Sequence, residues 1–406
     1  MTDGRSLVLL LAAGHALAMA DRHLFAVAAP AAAAALSLRD GTVGFVLGTA
    51  FAIAYAAAAV PLGRLADRGW RRRLLIGGAI LWTAASAATG LSRSAEELIA
   101  ARIALGVGQA AFIPAALALL IDGTTAETRP GRLAVFTTGS TLGRSGALLG
   151  GGAVLWLLSA AAIDAEWRWL FAVTALPNLL LIALLIGRGD LNGGAAMRQP
   201  LNEGFARPLR LASYLLLAVT PLLVGQAGAG WFPTLLVRTH GVTVAHAGIL
   251  IGAVTLIAAP MGQLLGGVLA RHWSPMRRIP ALLLVAGLWS ALPAMWLATQ
   301  GSSLPSVAAG IAGVNLTLGV ASFAGIYGWQ ALLPSSARGV GNGAFMAVVT
   351  VAGIGTGPLL TGTLSQWGGG GGAALGTALL MTGVFAAMLA TIAAGVFASL
   401  RPGART

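Results

Sequence analysis

The sequence predicts an all-α membrane protein, with twelve transmembrane helices forming two pseudo-symmetric six-helix bundles. Three observations lead there. Of 406 residues, 57% are apolar and 9% charged, whereas soluble domains carry roughly 25% charged residues. Twelve apolar stretches match the ~20 residues with which a helix crosses a bilayer. One long polar interval, between Gly187 and Leu211, divides them six from six. Barrel strands would alternate polar and apolar residues, and these stretches do not.

The first stretch, 7–36, contains Ala18-Met19-Ala20, which mimics a signal-peptidase site. The apolar run resumes at Leu24 and continues to Leu38, so an uncleaved first helix is expected. The second stretch, 43–63, runs into Gly63-Arg-Leu-Ala-Asp-Arg-Gly-Trp-Arg-Arg-Arg73. Charges this dense cannot enter hydrocarbon, which predicts a tight loop at a membrane face. The third and fourth stretches are 74–92 and 98–121. The fifth, 133–160, repeats Gly139, Gly143, Ala147 and Gly151 every four residues. That spacing lets helix backbones touch, for packing alone or for gating. The sixth, 169–187, closes the first bundle, assigned to residues 1–187. A cytoplasmic linker follows at 188–210.

The second bundle, 211–406, holds the stretches 211–237, 247–270, 279–299, 304–333, 339–365 and 373–400. In the eleventh, Gly353 and Gly357 precede Pro358; Gly368 to Gly372 make a flexible outer turn before the twelfth. The halves echo each other. Gly63-Arg-Leu-Ala-Asp67 returns as Gly267-Val-Leu-Ala-Arg271, and Arg129 to Phe136 as Arg338 to Phe345. Two related bundles with a site between them at the midplane are expected from such a duplication.

The net charge of +13 does not indicate nucleic acid, because its distribution is topological. With the amino terminus inside, Arg22, Arg102 and Arg144 fall in spans and only Arg39, Arg93, Arg168 and Arg238 fall outside. The other arginines are cytoplasmic, as the positive-inside bias requires. Both termini are then cytoplasmic, in the multi-pass inner membrane of a bacterium. The absence of cysteine excludes disulfides and thiolate metal sites. Without cysteine, lysine, HExxH or GxSxG, a membrane-embedded lipid enzyme lacks its chemistry. No enzyme activity, metal or cofactor is expected.

Ionisable residues within spans cost about 2.5–3.5 kcal/mol each at a helix centre and are functional candidates for that reason. Here they are Asp21 and Arg22 on the first helix, Arg102 on the fourth and Arg144 on the fifth. The second half has no acidic residue after Glu203. The proton affinity of Asp21 would depend on its distance from Arg22 or Arg102, which makes it either a proton-coupling group or half of a static ion pair. Arg102 reads as a bidentate ligand for an anionic headgroup, as a partner of Asp21, or as both. Arg144 faces a cavity or snorkels toward an interface. Asp67 and Arg68 read as a cytoplasmic gate, with Gly63, Arg71 and Arg129 assigned to it, or as a simple topogenic cluster. His15 and His23 flank Asp21; lone histidines are more often packed than proton relays. Tyr55, Trp231 and Phe323 are candidates to line a path for an apolar tail, with Asn315 beside them, or to serve as packing.

The G-x-L-A-D-R-x-x-R-R order at Gly63 resembles the loop signature of major facilitator superfamily transporters. Asp21-Arg-His-Leu-Phe-Ala-Val-Ala-Ala-Pro30 resembles the Spinster branch of that superfamily. So do Leu36 to Asp40, Gly44, Phe51, Tyr55, Pro61, Ala101 to Ala110 with Pro114, and Gly355-Thr-Gly-Pro358. The resemblance implies the major facilitator fold and export or flipping of single-chain amphiphiles such as lysophospholipids or sphingoid phosphates, with proton coupling in some members. It makes Asp21, Arg22 and Arg102 the conformational and proton-linked group. Where the branch commonly has glutamate on the fourth helix, this chain has Gln109, which is nearly isosteric with the protonated acid but does not titrate. Trp70 and Arg271 replace the usual glycine and aspartate. The expected partners are protons, the bilayer and a lysolipid-like anion, on a monomer. Carriers of sugars, organic anions or drugs are the alternative within the superfamily.

Overall fold

The computed structural model describes residues 4–122, 128–189, 191, 208–272, 279–333, 345 and 347–400. Among them the secondary structure is helical, with no strand. The first half contains α1 (Gly4–Ala35), α2 (Asp40–Leu65), α3 (Arg71–Leu91), α4 (Ala95–Asp122), α5 (Arg129–Ala160) and α6 (Glu166–Ile186). The second contains α7 (Pro208–His240), α8 (Val244–His272), α9 (Ile279–Gln300), α10 (Leu304–Leu332), α11 (Thr356–Trp367) and α12 (Gly371–Ser399). Among the described residues eleven helices are long and apolar enough to cross a membrane. The stretch expected at 339–365 is described in part, as a π turn over Val349–Gly355 leading into α11.

In hydrocarbon every backbone polar group must be satisfied internally, which favours helices over any open structure. The same setting tolerates Pro30, Pro61, Pro114 and Pro177 inside first-half helices. The arginine-rich knot departs from a plain loop. It forms a π turn over Ala66–Trp70, broken at Gly69 (φ 90, ψ 7), a conformation that only glycine adopts freely. A second π turn, Phe45–Thr49, interrupts α2.

The chain divides into two compact units, Met1–Arg198 with Gly241–Ala253, and Gln199–His240 with Val254–Thr406. In the first, α1 packs on α5, α3 on α4 and α6, and α2 on α4. In the second, α7 packs on α11, and α9 on α10 and α12. The pairings α1–α5, α3–α4 and α3–α6 thus recur as α7–α11, α9–α10 and α9–α12, the structural counterpart of the internal sequence echo. Of that echo, the side chain of Arg271 and most of 338–345 lie outside the described residues.

The core of the first unit sits where α4 meets α1, α2 and α3. Gly106 faces the Phe51 carbonyl and Gly108 the Trp82 amide, where an added Cβ would stand 2.6 and 2.7 Å from those atoms. Trp82 and Phe112 meet edge to face at 4.9 Å, both fully buried. These close approaches place the polar side chains of α4 directly against α1 and α2.

Candidate functional site

Asp21 and Arg22 are neighbours on α1, and successive helical residues project about 100° apart. The two side chains therefore leave α1 in different directions. Asp21 is 3% exposed. Its Oδ1 accepts from the Ser86 hydroxyl on α3 at 3.0 Å, and its Oδ2 accepts from the Asn178 amide on α6 at 2.6 Å. Arg22 turns toward α4 instead. Its Nε and Nη2 both donate to Gln109 Oε1, at 3.2 and 2.9 Å. Gln109 in turn donates from Nε2 to the Ala18 carbonyl at 2.7 Å.

Arg102 lies seven residues before Gln109, two turns away on the same face of α4. It is 1% exposed. Its Nε donates to the Val46 carbonyl at 3.2 Å and its Nη2 to the Arg22 carbonyl at 2.9 Å. Val46 belongs to the π turn of α2, where the backbone departs from the α ladder. Ring faces complete both cation shells. The Arg22 Cζ stands 4.3 Å from the Phe51 ring centre and 5.5 Å from that of Tyr55; the Arg102 Cζ is 5.7 Å from Phe25.

This arrangement differs from a direct ion pair. Among the described residues no hydrogen bond joins Asp21 to either guanidinium. Two cations and one anion are buried within a few turns, each satisfied by neutral dipoles and ring faces. Dipoles lower the desolvation cost of a charge without neutralising it. The cluster therefore holds more positive than negative charge.

Arg144, on α5, is half-buried, and its Nε is enclosed without a hydrogen-bond partner. It follows Gly143, which packs against the Ala16 carbonyl of α1. Arg68 is exposed, Arg71 is fully buried, and Gly63 has open space beside it. The side chains of Asp67 and Arg129 lie outside the described residues. His15 is packed: it stacks on Phe136 at 4.4 Å and shares a hydrogen bond with that residue's carbonyl at 3.0 Å.

Trp231, Asn315 and Phe323 belong to the second unit. Trp231 is fully buried and donates to the Pro358 carbonyl at 2.9 Å. Asn315 donates to the Ile311 carbonyl of its own helix, and Phe323 stacks on Tyr327 at 5.8 Å. Sequence reasoning missed Ser86 and Asn178. Asn178 is the sole asparagine of the first six helices, and an amide within an apolar span was the signal that could have found it.

A helical polytopic protein with two cations and one acid buried inside one of its two bundles has the makings of a membrane carrier. The profile of the Major Facilitator Superfamily matches residues 11–358, and the chain belongs to that family. A bacterial homologue of the human lysosomal transporter Spinster, solved in an inward-facing and occupied conformation, superposes with a TM-score of 0.83. It is 25% identical, over 98% of this chain and 97% of that one. These findings bear out the resemblance to the Spinster-like branch. An MFS-type efflux pump of Mycolicibacterium smegmatis is 28% identical over 257 residues, 62% of this chain and 58% of the pump, less than two thirds of its length. The 3-(3-hydroxy-phenyl)propionate transporter of Escherichia coli strain K12 is 29% identical over 316 residues, 76% of this chain and 74% of that transporter. The chain is a transporter, not an enzyme.

Proposed function

We propose that this protein is a proton-linked secondary carrier of anionic amphiphiles of the lysophospholipid or sphingoid-phosphate type. It works by alternating access as a monomer in the inner membrane of a bacterium, with both termini cytoplasmic. One observation carries the reading: Arg22 and Arg102 are buried against neutral partners, while the nearby carboxylate is held separately by Ser86 and Asn178. Two guanidiniums against one carboxylate leave an excess of positive charge, and arginine binds a phosphate or carboxylate head in a bidentate fork.

In this reading Arg102 and Arg144 receive the head. Tyr55, Trp231, Asn315 and Phe323 belong to the path of the tail. Asp21 takes and releases the proton, and Gln109 holds Arg22 in place. The Gly63–Arg71 segment with Asp67, Arg68 and Arg129 forms the cytoplasmic gate. The likeness to the Spinster homologue supports the lipid class. The likeness to a carrier of an aromatic carboxylate supports a second reading, in which an organic anion with a short apolar body is moved.

Reconstituted protein decides between them. Vesicles are offered labelled lysophospholipid or 3-(3-hydroxyphenyl)propionate, with and without an imposed pH gradient. Gradient-dependent movement of the lysolipid is expected. Movement of the aromatic acid alone would overturn the lipid reading, and equal rates with and without the gradient would overturn the proton link.

A further inference from the structure

Outside the buried cluster, the first unit holds a cavity of about 310 Å³ lined by Arg68, Gly69, Trp70, Arg72 and Arg73. Among its described lining residues three are cations. Arg72 donates from Nη2 to the Ile186 carbonyl at the end of α6 at 2.9 Å, yet its Nε is enclosed without a hydrogen-bond partner. The Arg73 guanidinium lies over the Trp70 ring, 4.8 Å from its centre, and Trp70 is 47% exposed. The cavity also adjoins the start of α3 at Arg71, the electropositive end of that helix.

Its depth and its surroundings specify the ligand. Apolar spans end at Leu65 and resume at Leu74, so the cavity lies at headgroup level, where an exposed tryptophan is at home. Below Arg73 a continuous exposed face runs down α3 through Gly77, Ile80, Leu81, Ala84 and Ala88. A free phosphate would use the cations alone. A lipid phosphate uses both features, with its head among the arginines and an acyl chain along that face. A volume of 310 Å³ is at the small end for ligand sites, enough for a headgroup but not for chains.

We infer that this cavity is a binding site for the phosphodiester headgroup of an anionic phospholipid in the cytoplasmic leaflet, separate from the transported molecule. The assignment rests on the loop's depth and on the proposed cytoplasmic orientation, not on the identity of the transported molecule. Basic segments at this face attract anionic lipid strongly enough that losing two arginines should weaken binding by about thirtyfold.

The test uses the full chain, purified in detergent, with three additions: phosphatidylglycerol, phosphatidylcholine and inorganic phosphate. Native mass spectrometry reads retained lipid, and thermal unfolding reads stabilisation. Phosphatidylglycerol should be retained about tenfold over phosphatidylcholine and should raise the unfolding temperature. R72Q/R73Q should abolish that preference. R73Q alone, at an exposed position, should weaken it several-fold while leaving the lipid-free unfolding temperature unchanged. Equal retention of the two lipids, or an undiminished preference in R73Q together with W70A, would overturn the site. Stabilisation by inorganic phosphate equal to that by phosphatidylglycerol would overturn the lipid as its ligand.

Discussion

Gln109 joins two contacts that a titrating residue would set against each other. Its Oε1 accepts from Arg22 and its Nε2 donates to the Ala18 carbonyl. A glutamate there meets Arg22 best when ionised and Ala18 best when protonated, since a carboxylate repels a carbonyl oxygen. Q109E is therefore expected to add a pH dependence to transport that the present protein lacks at this position; an unchanged pH profile would remove the residue from coupling. D21N is expected to flatten whatever pH response the protein has, and a response that survives it would place the proton elsewhere. N178L leaves the buried Asp21 Oδ2 without its donor, which should cost about 1–3 kcal/mol of stability, read as lowered thermal unfolding. Asp21, Arg22 and Arg102 were legible in the sequence because charge in an apolar span is too costly to be incidental. Ser86 and Asn178 were not, because neutral polar side chains are tolerated in helices by bonding their own backbone. Thr83 and Thr89 do so on the same helix as Ser86.

At the scale of elements, α4 sets the geometry. Arg102 and Gln109 reach their partners because Gly106 and Gly108 let α2 and α3 come in to backbone contact. G106V must displace the Phe51 carbonyl and should cost about 1–3 kcal/mol, the range for overpacking a close-packed interior. G77A is the control: Gly77 has nothing within 4 Å of an added Cβ. It should leave stability unchanged or raise it by about 0.5–1 kcal/mol through helix propensity. Thermal unfolding of both variants checks the contrast. The helices were readable as uninterrupted apolar runs. The π turns at Phe45–Thr49 and Val349–Gly355 were not. A single wide turn inside an apolar run shifts the face of later residues without altering composition, and so it leaves no mark in a pattern read for length and hydropathy.

Across the molecule, the buried charged side chains among the described residues all belong to the first bundle. The second has no acid after Glu203, and neutral pairs such as Thr361 with Thr382 at 2.9 Å lie within it. That asymmetry suits a molecule with one charged end. A lysophospholipid should therefore compete for transport in vesicles at least about tenfold better than its dephosphorylated monoacylglycerol, one tenfold step being 1.4 kcal/mol. Equal competition would deny the cations any part in recognition. The duplication was visible in short echoes such as Gly63–Asp67 and Gly267–Arg271. The repeated helix pairings were not, since they depend on which faces meet and not on which residues recur.

The adjacency of Asp21 and Arg22 has a mechanical consequence. Both side chains spring from one spot on α1, with the acid anchored to α3 and α6 and the base to α4. A swivel of that rod moves both anchorages at once. On the proposed reading, the proton on Asp21 and the clamp of Arg22 on Gln109 would thus hang from a common axle, and the stroke that lets go of the first would also loosen the second.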